Sequence, residues 1–221
     1  MPRKALVYGL LGLWSFVCLF PVFWLAVTSL KTEHDITSGP RYLPFVDFTP
    51  SLASWVFFLT DRYDNFIRQL MNSVVISLAA TGLMLLAAAM AVYSFTRFRW
   101  RHGGPAVMAA LMLTRMLPPI ALAVPVYVLA QQVHLLDTRS LLVLVYTAVN
   151  LPVALWLLWP VLGSKTSDQE EAALLDGASH WRILFEVLLP TVIGGVAAAG
   201  IFIFVLCWNE YLLAAMLAGN E

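Results

Sequence analysis

The stretch Glu171-Ala172-Ala173-Leu174-Leu175-Asp176-Gly177-Ala178, closed by Val187-Leu188-Leu189-Pro190, is a polar, helix-prone island in a chain of otherwise apolar spans. Ser167 and Glu170 fit a capping box, in which hydroxyl and carboxylate satisfy the first free amides of a helix. Asp168, Glu170 and Glu171 crowd the first turn, where the helix dipole favours anions. Ala172 to Leu175 are strong helix formers. Gly177 is placed to end this helix, and a second short helix is expected from Ser179 to Leu188, with Pro190 entering the next span. Small and apolar side chains mixed with acids leave two readings: a helical linker along the bilayer, or a docking site for a soluble partner.

The surroundings decide what the island sits in. Of 221 residues, 61% are hydrophobic and 12% charged. Soluble domains carry about 25% charged residues, so this is the composition of a polytopic membrane protein. A net charge of zero argues against a nucleic-acid partner. Cys18 and Cys207 both fall in apolar runs and read as small core residues. The four histidines show no metal-ligand spacing, and no glycine-rich phosphate loop occurs, so neither a metal nor ATP is expected on this chain.

Five spans are expected, at about 6–30, 71–95, 105–130, 140–162 and 187–213. Each is near or above the roughly 20 residues needed to cross the hydrocarbon. The uncharged run from Ala5 to Leu30 is too long for a signal-peptide core. Residues 31–70 form the long polar connection, proline-rich at first. Trp55, Phe58, Leu59, Tyr63, Phe66 and Leu70 then recur at helical spacing, which predicts a short amphipathic helix at the interface: an aromatic anchor or a landing surface for a partner. If the spans alternate, Arg3, Lys4, Arg97, Arg99, Arg101, Lys165 and Arg182 share one side, and only Arg139 lies on the short turn opposite. The positive-inside rule puts the N-terminus, the basic loop and the 163–190 island in the cytoplasm, and the 31–70 loop outside.

The island resembles the EAA motif of inner-membrane permease subunits of binding-protein-dependent ABC importers. Three residues separate Ala173 from Gly177, and nine separate Gly177 from Val187. Val187 stands where isoleucine is commoner. Asp176 and Ala178, Trp208-Asn209-Glu210-Tyr211, Arg115-Met-Leu-Pro118-Pro119 and Asn72-Ser73 are similar to the carbohydrate branch, the maltose- and glycerol-phosphate-type permeases. The resemblance covers essentially the whole chain. It implies an all-α helix bundle forming a single transmembrane permease domain over residues 1–221, with a sixth family span missing after Gly219-Asn-Glu221. It implies a second permease, two cytoplasmic ATPase subunits that carry the ATP and Mg, an extracytoplasmic solute-binding protein, and surrounding lipid. Glu171, Ala172, Ala173, Asp176, Gly177, Leu189 and Pro190 are then the ATPase-coupling residues, and no residue is catalytic.

Candidates for the solute path carry competing readings. Arg115 is costly in lipid and faces protein or water; it serves the path, an ion pair, or a position near the interface. Asn150 with Pro152 reads as a helix break facing a cavity, or as a packing kink. Glu210 with Asn209 lines the path or meets water at the interface. Trp208 and Tyr211 stack on a sugar ring or belong to an aromatic belt. The coupling reading has a direct test: Gly177→Trp is expected to abolish ATPase association or to uncouple hydrolysis from uptake, and unchanged transport refutes it.

Overall fold

The computed structural model describes residues 2–98, 104–163 and 168–218. Arg99, Arg101, His102, Lys165, Ser167 and Gly219 to Glu221 lie outside the described residues. The described elements are all helical, and the chain divides into two compact units, Met1–Gln69 and Leu70–Glu221.

The first unit begins with α1 (Pro2–Ser29), uninterrupted at Pro21. Its apolar side chains are mostly exposed, as suits a helix in lipid, and the rings of Phe16, Phe20 and Trp24 meet in succession along one side. Lys31, just past this helix, is buried. Its ammonium donates to the Arg41 carbonyl at 2.6 Å and lies over the rings of Trp24 and Phe48. Such cation–π contacts are worth about 0.5–2 kcal/mol each. The short α2 (Glu33–Thr37) starts with a capping box between Thr32 and Asp35, and Arg41 pairs with Asp35. Asp47 accepts the amides of Leu43 and Tyr42, which hold its carboxyl below the ordinary range.

The expected interfacial helix has no separate existence. After α3 (Ala53–Phe57) and a wide π-turn (Phe58–Arg62), the chain runs directly into α4 (Tyr63–Arg97), so the aromatic segment is the foot of the second span.

In the second unit, α4 buries Ile76, Ala80, Met84, Ala88 and Val92 on one stripe at helical spacing. The third apolar stretch is broken, contrary to expectation. It forms α5 (Gly104–Thr114) and α6 (Pro119–Gln132), of 11 and 14 residues. The sequence explains the break: a residue before proline avoids helical ψ, and Pro118 at ψ 135° feeds Pro119, which fits a first helical turn. By contrast α7 (Arg139–Leu162) is continuous through Pro152 and Pro160, so Asn150 and Pro152 mark no break.

The fifth stretch also differs. The motif segment is α8 (Asp168–Leu175), α9 (His180–Arg182), a π-turn (Ile183–Leu188) and α10 (Leu189–Thr191). The chain then bends by 84° at Val192 into α11 (Ile193–Trp208). Pro190 therefore closes the motif helix and does not open the span. After Asn209–Tyr211 comes α12 (Leu212–Leu217), packed on α6 and α7. Among the described residues, three helices are long and apolar enough to cross a membrane alone, or up to four if the bent pair is one span.

Two glycines of α11 leave room for side chains of neighbouring helices. A Cβ on Gly195 would lie 2.8 Å from Val161 Cγ1 of α7, and one on Gly200 would lie 3.1 Å from Leu85 Cδ1 of α4. Small residues let helix backbones approach where lipid supplies no hydrophobic drive. Gly194 meets nothing within 4 Å. Gly195→Leu is therefore expected to destabilise the bundle by about 1–3 kcal/mol of overpacking. Gly194→Ala is expected to be neutral or to stabilise by up to about 1 kcal/mol. Thermal unfolding of the detergent-purified chain checks the contrast.

Candidate functional site

The motif segment has two faces. Helix α8 ends in a left-handed glycine: Gly177 has φ 78°, its amide donates to Leu174 O at 3.1 Å, and the Ala178 amide donates to Ala173 O at 2.9 Å. This is the Schellman pattern, and its crossed bonds satisfy two carbonyls that the helix end would leave free. Ser179 then caps α9 by accepting from the Arg182 amide. The following π-turn carries the Leu189 amide back to Leu184 O, just before Pro190, which can donate no amide of its own.

Inward, Ile183, Leu184 and Leu188 are buried, and Ala173, Ala178 and Leu189 pack against the same core. Outward, Glu171, Ala172, Asp176, Gly177 and Pro190 are exposed. Leu175 is 90% exposed and Trp181 62% exposed, with Leu174 and Phe185 beside them in the open set. Trp181 stacks on Phe185 at 5.9 Å, and Arg182 pairs with Glu186 at 2.7 Å, a hydrogen bond that raises the Arg182 pKa. Most of the expected coupling residues thus share an open surface; Ala173 and Leu189 instead anchor it.

The anchoring includes a contact that spacing alone did not reveal. Glu170, read from sequence as a capping carboxylate, is 2% exposed. Its two oxygens take Arg97 Nε at 3.0 Å and Nη2 at 2.8 Å. Arg97 also donates to Thr96 Oγ1 at 2.9 Å and lies over the Tyr93 ring. A two-point guanidinium–carboxylate pair is short, directional and strong. Breaking a buried pair by removing one partner costs about 3–5 kcal/mol. Beside it, Tyr93 Oη and His180 Nδ1 are hydrogen-bonded at 3.0 Å, and Phe98 covers the imidazole edge-on. Arg97 and Glu170 stand 73 positions apart. The only signals were Arg97 closing a long uncharged run and Glu170 doubling the motif acid.

The solute-path candidates gather partly. Arg115 is exposed at the α5–α6 break and donates to Val149 O of α7 at 3.5 Å, the outer limit of hydrogen bonding. Asn150, next in α7, is buried and donates to Tyr146 O at 3.0 Å within the helix. Tyr146 Oη donates in turn to Glu210 O at 3.1 Å, in the α11–α12 break. Glu210 Oε1 accepts the Leu213 amide and so caps α12. Asn209 donates to Val205 O, Trp208 lies against Phe204, and Tyr211 is 79% exposed. Two helix breaks therefore abut one turn of α7, Tyr146 to Asn150. Discontinuous helices in membrane proteins expose free backbone groups where a polar solute or ion is held. The cavity of about 610 Å³ between α5 and α7, walled by Met108, Met112, Trp156 and Trp159, lies apart from these residues and is apolar. Among the described residues no group of acids, histidines and cysteines is placed to hold a metal.

Known proteins agree with this architecture. Residues 84–221 match the family model for the binding-protein-dependent transport system inner membrane component. The chain is 36% identical over 219 residues to the diacetylchitobiose uptake system permease protein of Streptomyces coelicolor, covering 98% of this chain and 70% of that one. It is 34% identical to a probable ABC transporter permease protein of Sinorhizobium fredii (92% and 71% covered). It is 32% identical to the sulfoquinovosyl glycerol transport system permease protein of Agrobacterium fabrum (91% and 69% covered). In fold it is similar to a chain of a bacterial ABC transporter involved in the import of the acidic polysaccharide alginate. There the TM-score is 0.76 at 22% identity, over 97% of this chain and 74% of that one. A multi-pass helical chain with an exposed motif segment and this family match is a membrane transport permease: it belongs to the binding-protein-dependent transport system inner membrane component family.

Proposed function

We propose that this chain is the membrane-spanning permease subunit of an ATP-driven importer for a sugar or sugar-like solute. It would take the solute from an extracytoplasmic binding protein and pass it inward by alternating access. The observation that carries the coupling half is the open face of the motif segment. Leu174, Leu175, Trp181 and Phe185 are exposed beside Glu171 and Asp176, on a segment whose other face is fastened to the core. Exposed aromatic and leucine side chains ringed by charges are the make-up of a protein contact. The occupant would be an ATPase subunit, two per complex, with ATP and Mg bound there and no cofactor on this chain. A second permease, making a heterodimer, would complete the path.

Support for a sugar comes from the relatives, whose names give diacetylchitobiose and sulfoquinovosyl glycerol as their solutes. The free face of Tyr211 and the polar groups of Asn209, Glu210 and Arg115 offer the stacking surface and hydrogen-bond partners that a sugar needs. The reading places the N-terminus and residues 163–190 in the cytoplasm, the 31–70 loop outside, and the whole in the inner membrane.

The test is copurification of ATPase subunits with the tagged chain, plus uptake of labelled disaccharides, amino acids and polyamines by cells expressing the complex. An apolar contact at the centre of an interface is worth about 2 kcal/mol or more. Leu175→Glu should accordingly lower copurification about thirtyfold with the chain still in the membrane. Undiminished copurification removes the docking reading, and uptake of the amino acid or polyamine in place of sugar removes the solute class.

A further inference from the structure

Two contacts join the end of α4 to the motif segment, and they fall on opposite sides of its glycine turn. Before Gly177, Glu170 of α8 is gripped at both oxygens by Arg97. After it, His180 of α9 is hydrogen-bonded to Tyr93 and meets the Phe98 ring edge-on. Gly177 itself has a left-handed backbone with nothing within 4 Å of an added Cβ, so the turn has open space to flex into.

We infer that Arg97–Glu170 and Tyr93–His180 form a two-point clasp that makes the motif segment and the end of α4 move as one body. The inference rests on the docking reading above and assigns Arg97 and Glu170 as positioning residues behind the docking surface. The apolar inward face holds the segment to the core, and a single polar contact would tie only one of the two motif helices to the end of α4. Contacts on both motif helices tie each of them to α4 and make the two short helices one stiff lever. A segment needed only to connect α7 with α11 requires no desolvated ion pair, which costs hydration and returns it only through rigid geometry. Glu170 and Tyr93 are buried, and neither pair uses the side chain of Leu175 or Trp181, so the clasp constrains the lever without engaging those contact residues.

The experiment uses the complex with its ATPase subunits in nanodiscs. Nitroxide labels are placed at the exposed positions Ser94 and Gln169, in a background with Cys18 and Cys207 replaced by alanine. Dipolar broadening between the labels is compared in the nucleotide-free and ADP–vanadate states. The unsubstituted chain should show the same broadening in both states. Arg97→Gln and Glu170→Gln should show a shift between states and a loss of broadening, while the ATPases still copurify. State-independent broadening in both variants overturns the clasp. If a neutral variant does not accumulate, Arg97→Lys decides by the same two outcomes, because it keeps the charge and gives up the fork. Failure of the ATPases to copurify with the unsubstituted chain overturns the docking reading instead, and the lever role with it.

Discussion

A backbone amide or carbonyl inside hydrocarbon must find its partner within the protein, because lipid offers none. That constraint accounts for the division of labour among the helices of the second unit. Helix α7 stays continuous through two prolines, and the interrupted helices are arranged against it. The break at Asn209–Tyr211 is made good by α7's Tyr146, which donates to Glu210 O, and by the Glu210 carboxylate, which takes the Leu213 amide. The break at Arg115–Pro118 brings Arg115 to Val149 O, and Pro118 and Pro119 have no amide to satisfy. Each interruption thus carries its own compensation, and each leaves polar groups near one turn of α7.

The same reasoning explains why the motif segment can be both exposed and ordered. Its free ends are internally satisfied: the Schellman bonds close α8, Ser179 opens α9, and the π-turn adjusts the register before Pro190. The inward leucines and isoleucine hold it to the core, and the buried Arg97–Glu170 pair adds direction to that attachment. The exposed Leu174, Leu175, Trp181 and Phe185 lie outside that core. These leucines and aromatics are available to a partner.

Much of this was legible from residue order. Charge-free runs marked the first, second and fourth spans, since transfer of apolar side chains depends on composition and length alone. The glycine turn at Gly177 was legible because only glycine adopts φ 78° without penalty. Other readings changed. The aromatic stretch 51–69 has helical spacing, but spacing cannot say where one helix stops and the next starts; here the ladder continues through a π-turn into α4. The third and fifth apolar stretches look continuous by hydropathy, yet Pro118–Pro119 breaks one and Val192 bends the other by 84°.

What residue order determined by itself is the membrane-spanning, all-helical character of the chain and the place of its motif, because hydropathy and local turn chemistry act between near neighbours. What only the tertiary structure decided is which side chains face each other across long separations. The alternatives for Asn150 and Glu210 narrow once Tyr146 links one break to α7. Glu170 and Arg97 become partners only when α8 folds back beside the end of α4. A charge pair of that kind carries no periodicity in sequence; its energy comes from burial and from the approach of two helices, which local propensity does not encode.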